Sequence, residues 1–440
     1  MPSYFSRSFK FAVLTTFFSF VVIVGCSKPE SPTQNLNDEP SATELEQKSE
    51  STTQDSNDET YATESKSSAS NPASEPASAT TVDYAPATSE SVSSSLAALD
   101  GKAEFIGPTI TGSHASTIAE MPNGTLVAAW LGRPSPDDEA IAVWSAIFRD
   151  GSWTEAKIVA TVPDDMPDYS PEGRINRLWN PVLFQDDDGS LYLFYKVGPT
   201  TADWRGLIRK SVDGGETWED FAKLPEGFVG PVKNKPVRLK DGSILAPSST
   251  ETFAGEWTVH LERAPKIGGE WTKTAPLNTS DEGGAIQPSV LFHPDGRLQL
   301  ICRNKDGDEN LWTFWSEDGG ATWSKMEQLS LPNPNSGTDA VTLRDGRQLL
   351  VYNHSTTKTG DRTRLNVAVS DDGVNWRAAC VLENEPGTFD YSYPAVIQTS
   401  DGKIQITYTW RWERIKRATF DPAKLDGVPI VDGVWPEEVR

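Results

Sequence analysis

The sequence predicts an all-β protein: a six-bladed β-propeller with four-stranded antiparallel blades and Asp-box turns, preceded by a disordered tether. Three observations predict it. The first is one phrase written six times: a polar residue, an apolar run, an Asn/Asp-Gly or similar turn, and a second apolar run. The second is a Ser-x-Asp-x-Gly-x-Thr-Trp motif that alternates with that phrase. The third is an N-terminal stretch with almost no large apolar side chains.

The phrase runs HASTIAEMPNGTLVAAW from His114, NPVLFQDDDGSLYLFYK from Asn180 and KPVRLKDGSILAPSS from Lys235. It recurs as QPSVLFHPDGRLQLICR from Gln287, DAVTLRDGRQLLVYN from Asp339 and YPAVIQTSDGKIQITYT from Tyr393. Two apolar runs around such a turn specify a β-hairpin. The turn glycines, from Gly124 to Gly402, are spaced by roughly one four-stranded blade, a period that signals a propeller.

Between hairpins, Ser211–Trp218 and Ser316–Trp323 match the second motif in full, and Ser370–Trp376 is one residue short. Segments ending at Trp153 and Trp271 are decayed copies. In such an Asp box the carboxylate folds onto turn amides, glycine takes the positive φ, and tryptophan packs between blades. These residues are structural. Only one strand, near Arg414–Phe420, follows the sixth hairpin, so Glu104–Ile110 is expected to complete that blade and close the ring, removing exposed edges.

Upstream, Arg7 and Lys10 precede an apolar run from Phe11 to Val24. Residues 1–25 therefore read as a lipoprotein signal peptide with Cys26 as the lipidated residue, pointing to an outer-membrane lipoprotein facing the periplasm or cell surface. Residues 26–98 are Ser, Thr, Ala, Pro and acidic residues, too poor in apolar surface to fold, and read as a linker. The propeller is assigned to 99–440. The linker carries much of the net charge of −23. With no basic stretch, nucleic acid is excluded as a partner. The membrane is met only through the lipid anchor, and the expected partner is a glycan or polysaccharide bound by a monomer. Cys302 and Cys380 sit in apolar strand contexts and are expected as buried thiols.

A propeller gathers the starts of its first strands at one axis. Those starts are His114, Asn180, Lys235, Gln287, Asp339 and Tyr393; the second strands end near Lys196, Ser248–Glu251, Arg303, Asn353–His354 and Arg411. Polar groups converging there suit a small, hydroxylated, anionic ligand. Lys196, Lys235 and Arg303 would face a carboxylate or sulfate, and Trp130, Trp179 and Trp410 offer faces for sugar stacking. For each polar residue the plainer reading is that it satisfies loose amides at the channel mouth, and for Asn180, before a proline, that reading leads. His260, Glu262 and His293 read as structural. The four histidines are scattered, no Cys/His pair has metal-ligand spacing, and no phosphate loop occurs, so neither metal nor cofactor is expected.

These residues are similar in placement to those of the sialidase superfamily, specifically bacterial sialidase-like BNR-repeat proteins, over about residues 103–421. The resemblance implies a tyrosine nucleophile at Tyr393, and Gln287 where the family has the activating glutamate. It places Arg303 and one of Arg362 and Arg364 in the carboxylate clamp, and His114 where the family has its first arginine. It also implies an acid among Asp137, Asp138 and Glu139. Asn180, Lys196, Lys235, Asp339 and His354 complete the expected binding set. An exo-acting glycoside hydrolase acting on a terminal acidic sugar is the leading expectation. A lyase cleaving uronate polysaccharide by β-elimination is the second, with His114 as base and Tyr393 or His354 as acid. A non-catalytic glycan-binding propeller is the third, resting on Gln287.

Overall fold

The computed structural model describes residues 93–439 except 167–174, 306–308, 358–359, 386 and 388. The signal, Cys26 and nearly all of the linker lie outside the described residues. Six antiparallel sheets follow one another. Blade 1 runs His114–Glu120, Leu126–Gly132 and Ala142–Arg149, with Ser152–Trp153 and Lys157–Ala160 both on its outer strand. Blade 2 is Arg177–Gln185, Leu191–Gly198, Arg205–Ser211 and Glu219–Lys223. Blade 3 keeps only Val237–Arg238 as its first strand, then Ile244–Glu251, Trp257–Ala264 and Thr272–Lys273. Blade 4 is Ala285–Phe292, Leu298–Asn304, Asn310–Ser316 and Glu327–Pro332. Blade 5 is Asp339–Thr342, Gln348–Tyr352, Arg364–Ser370 and Trp376–Asn384, with Val428–Pro429 added at its outer edge.

Blade 6 is Tyr391–Gln398, Ile404–Trp410 and Arg414–Phe420, and its fourth strand is Lys102–Ile106 from the other end of the chain. The expected ring closure is therefore present. The folded part begins earlier than the sequence suggested: Ser94–Ala98 is a short helix inside the stretch assigned to the linker. Leu96 and Leu99 explain this, because both are buried in the core shared by blades 5 and 6. Ser95 also ties the helix to Val381 of blade 5.

All six hairpins turn in the same way. Each tight turn ends on a glycine at φ between 81° and 94°; in the first, Gly124 N–H closes the turn onto Met121 O at 2.8 Å and Met121 N–H to Thr125 O at 2.8 Å resumes the ladder. The Asp box at 211–218 folds as expected: Asp213 accepts from Ser211 Oγ at 2.8 Å and Thr217 N–H at 3.0 Å, and Trp218 Nε1 donates to Gly215 O at 3.1 Å. In the second box, hydrogen bonds from the Thr322 side chain and amide and from Ser316 hold the Asp318 carboxyl down to about 2. The hydrophobic core is divided among the gaps between adjacent blades. Leu183 and Val127 pack between blades 1 and 2, Leu245 and Leu300 between 3 and 4, and Leu350 and Ile301 between 4 and 5. Cys302 and Cys380 are buried and unpaired in these gaps, and burial pushes both thiols up.

Because Lys102–Ile106 closes blade 6, removing residues 93–106 leaves Arg414–Phe420 as a bare edge and takes the buried side chains of Leu96, Leu99 and Ile106 out of the core. A chain beginning at Gly107 should lose roughly 5 kcal/mol of stability relative to one beginning at Ser93. Calorimetry of the two chains, with light scattering for edge-to-edge association, measures this. Equal melting temperatures would rule the closure out as a source of stability.

Candidate active site at the propeller axis

Strands that begin at a narrow axis reach it where their ladder partners have run out, so their first residues must bend. In blades 1, 4 and 6 the bend is a β-bulge, a register slip between His114 and Thr117, Ile286 and Ser289, and Ser392 and Ala395. At its centre sit Ala115, Gln287 and Tyr393, non-glycine residues at φ of 54°, 54° and 50°. A left-handed conformation costs such residues about 1–2 kcal/mol each, and it persists only where the surroundings over-determine it. Bulges re-aim side chains. These three share one spacing to their turn glycines, and the same spacing leads to Asn180, Lys233 and Gly337 in the other blades.

Tyr393 is the centre of the cluster. Arg303, from the second strand of blade 4, donates from Nη1 to the Tyr393 hydroxyl at 2.9 Å and from Nε to Asn335 Oδ1 at 2.8 Å. Arg362 holds its guanidinium 5.6 Å from the Tyr393 ring centroid, braced by Asp390 and by Asn335 O. The His114 ring lies 4.2 Å from the Tyr393 ring and stacks on Trp412 at 3.8 Å and 7°. Thr409 Oγ1, which accepts from Ala115 N–H, sits 3.1 Å from His114 Nδ1 and fixes the imidazole. Among the described residues the Tyr393 hydroxyl is bonded to Arg303 and to no carboxylate. Among the described residues the buried Gln287 side-chain oxygen has no hydrogen-bond partner.

Among the described residues cations predominate around Tyr393, with Asp390 meeting Arg362. Burial, then Arg362, Arg303 and Lys233, hold His114 well below its ordinary value, so the imidazole is neutral. Lys233 is pulled down to about 7 by burial, with Asp339 acting to raise it and Lys235 and Arg303 to lower it further. It donates to Asn234 Oδ1, Thr338 O and Pro394 O at 2.9, 2.9 and 2.7 Å. Gly337 makes room for it: a Cβ there would lie 2.9 Å from Lys233 Cε. Three cationic side chains around one phenol and one neutral imidazole form a receptor for an anion.

The structure thus brings His114, Gln287, Arg303, Arg362 and Tyr393 of the expected residues to this place, and it distinguishes Arg362 from Arg364, whose neighbours are Asp361 and His354. Other expected residues have other surroundings. Lys196 gives its ammonium to the carbonyls of Asn180, Pro231 and Val232. Lys235 pairs with Asp339 at 2.9 Å, and Asp339 also accepts from Ser289 and from the amides of Ala340 and Val396. Asn180 is buried with its carbonyl on Lys196. His354 sits between the Tyr352 hydroxyl and Gly433 O beneath the C-terminal strap. Asp137 and Glu139 are exposed and Asp138 is half-buried on the segment linking the second and third strands of blade 1. Trp130 is in the core of blade 1, Trp179 donates to Gly198 O, and Trp410 packs on Phe105. A cleft of about 150 Å³ between blades 1 and 2, lined by Ile147, Val159, Arg209 and Trp218, contains none of the axial groups.

Sequence reasoning missed Lys233, Asn335, Asp390, Trp412 and Trp257, which lies 5.4 Å from the Arg303 guanidinium. For Lys233 a signal existed, its spacing to Gly242. Asn335 and Trp412 lie in irregular segments at φ of 55° and 60°, and no repeat points to them.

With this geometry in hand, likeness to known proteins is informative. A family model for the BNR repeat-like domain matches residues 124–406. A sialidase of Micromonospora viridifaciens is 29% identical over 288 residues, which covers 56% of this chain and 42% of that protein. An anhydrosialidase of Macrobdella decora is 22% identical over 251 residues, 51% of this chain and 32% of that protein. The matched region spans less than half the length of either relative. Among solved structures, a Hadza microbial sialidase superimposes with a TM-score of 0.58 at 17% identity, covering 71% of this chain and 66% of that one.

The Lys233 environment generates a pH prediction. Below about 7 its ammonium adds to Arg303 and Arg362, and above that value the site loses one positive charge. His114, already neutral, does not offset this change. Affinity for a sugar carboxylate such as N-acetylneuraminate should therefore weaken by up to about tenfold per pH unit as pH rises from 6 to 8.5. Titration calorimetry across that range measures it, and a flat profile would contradict the assignment.

Proposed function

The chain belongs to the BNR repeat-like domain family and is a sialidase-like propeller, and we propose that it is an exo-acting glycoside hydrolase that removes a terminal acidic sugar from a glycan. The observation that carries this reading is the meeting of Arg303, Arg362 and His114 around Tyr393 at the axis. The names of the relatives, a sialidase and an anhydrosialidase, support it. In this reading Arg303 and Arg362 hold the sugar carboxylate. The glycosidic C–O bond breaks, its oxygen leaves with a proton from the Asp137–Glu139 segment, Asp138 being the first candidate, and Tyr393 stabilises or traps the oxocarbenium-like centre until water replaces it. In the tautomer with Nδ1–H toward Thr409, His114 is basic at its other nitrogen; it takes the phenolic proton when Tyr393 traps the sugar and returns it when water, giving its own proton to the Asp137–Glu139 carboxylate, displaces the phenol.

A second reading has its own support: Gln287 is neutral, the Tyr393 hydroxyl meets no carboxylate among the described residues, and His114 is uncharged. These suit β-elimination from a uronate, in which the arginines neutralise the carboxylate, His114 removes the C5 proton and Tyr393 protonates the leaving oxygen. Upstream, we propose a lipid anchor at Cys26 that holds a monomeric enzyme at the outer membrane, facing the periplasm or cell exterior.

The test pairs sialylated glycans with uronate-rich polysaccharides and follows free acidic sugar and near-ultraviolet absorbance. Release of the sugar without new absorbance supports hydrolysis, and a rise in absorbance supports elimination. Neither product, with binding retained, leaves a glycan-binding propeller. Tyr393→Phe should lower kcat by about 10²–10⁴-fold, and Arg362→Met should raise KM by about 10–100-fold. Cys26→Ser should move the protein from the membrane to the soluble fraction on cell fractionation.

A further inference from the structure

Blade 3 lacks a regular first strand, and the segment that replaces it is gripped by charge. Glu262, on the third strand of that blade and fully buried, accepts from the amides of Val229 at 3.0 Å and Gly230 at 2.8 Å. Lys196, on the second strand of blade 2 and equally buried, donates to the carbonyls of Pro231 and of Val232, the latter at 3.0 Å. Val232 N–H reaches Pro247 O at 3.1 Å. One carboxylate and one ammonium thus hold four consecutive residues, the first two by their N–H groups and the last two by their carbonyls. The next residue is Lys233, which crosses to Thr338 O of the segment before blade 5 and to Pro394 O, directly after Tyr393. Asn234 then fixes Gln287 O at 2.9 Å and Ser289 at 2.8 Å.

We propose that Lys196 and Glu262 are positioning residues for the axial site: by clamping segment 229–232 they set Lys233, and Lys233, bonded beside the left-handed bulge of blade 6, sets Tyr393. The inference rests on the reading of Tyr393 as the working residue, but its first test does not. Neither clamp residue touches the Tyr393 cluster, and each acts through another. Burying a charged pair with no ladder to complete is costly unless every polar group is met, and here the groups they meet include four from the one segment that carries Lys233, with Asn180 O a further acceptor for Lys196. Glu262 also holds His260 at 3.2 Å and Ser248 at 3.4 Å, which fixes its carboxylate from the opposite side.

The experiment uses the full chain labelled with 3-fluorotyrosine, the Tyr393 resonance being identified by its loss in Tyr393→Phe. Glu262→Gln and Lys196→Met should shift and broaden that resonance, whereas Lys196→Arg, which keeps the charge and the donors, should restore it. Arg209→Met is the control: it removes a cation that also grips main-chain carbonyls, those of Val159 and Trp218, at the outer gap between blades 1 and 2. It should lower the melting temperature and leave the Tyr393 signal in place. If Lys196→Met does not fold, Lys196→Gln takes its place beside the near-isosteric Glu262→Gln. On a fluorogenic sialoside, if it is turned over, Glu262→Gln should lower kcat about tenfold or more with KM changed less. A wild-type Tyr393 resonance in both clamp variants, with melting lowered as in Arg209→Met, would overturn the proposal. Absence of turnover with a shifted resonance would overturn the hydrolase reading alone.

Discussion

Peptide groups buried where the ladders end are the constraint from which the axis of this propeller follows. At the outside, Lys102–Ile106 completes blade 6 and Val428–Pro429 extends blade 5, and a propeller keeps only short outer edges. At the inner rim the same solution is unavailable, because six strands converge and cannot pair further. Each unpaired N–H or C=O there would cost about 1–3 kcal/mol if left in a dry pore. Side chains supply the missing partners. Asp339 alone serves Val396 N–H of blade 6, Ala340 N–H of blade 5 and Ser289 of blade 4, and it binds Lys235 beside blade 3. Four neighbouring elements are joined through one carboxylate, and the charge that would be costly alone is offset by its ammonium partner.

The site is made of what this satisfaction leaves over. Lys196, Lys235 and Asp339 are fully engaged by the protein. Arg303, Arg362 and His114 are also held, but by edges that leave them grouped around a phenol rather than around a peptide. The carboxylates of Asp339 and Glu262 are committed to amides and ammonium groups further along, and Asp390 meets Arg362. Burial first, and then the positive charges of Arg362, Arg303 and Lys233, keep His114 neutral. Trp412 adds to it by covering one face of His114, which keeps the imidazole dry.

How much of this was legible depended on whether a residue's role was local. The hairpins, Asp boxes and ring closure are written in turn chemistry and period, so Gly124 through Gly402, Asp213 and the closing strand could be read directly. The polar rim was legible as a set but not by role. Reading blades 3 and 5 as regular hairpins put Lys235 and Asp339 at the rim, whereas regular pairing there begins late, at Val237 and Asp339, and the positions equivalent to Tyr393 are Lys233 and Gly337. Arg362 and Arg364 are indistinguishable in sequence; the strand beginning at Arg364 turns one toward Asp361 and leaves the other on Tyr393. Asn335 and Trp412 depend on left-handed loop residues fixed by distant partners, which no local pattern encodes.

Gln287 bears on the chemistry through what it cannot do. A glutamate in its place would draw the phenolic proton of Tyr393 toward itself; an amide leaves that proton where the remaining geometry puts it. Arg303 donates to the Tyr393 oxygen, so the oxygen accepts and its own hydrogen is directed away from the guanidinium. Among the described residues no side chain accepts that hydrogen, and the neutral His114 lies beside the phenol, its ring centroid 4.2 Å from that of Tyr393. In the hydrolase reading proposed above, this phenol is a donor in the resting site and becomes a nucleophile when His114 accepts the proton. In that reading the imidazole, rather than a carboxylate, takes the phenolic proton, and its depressed affinity for protons makes that acceptance easiest once a bound anion has reduced the surrounding positive field.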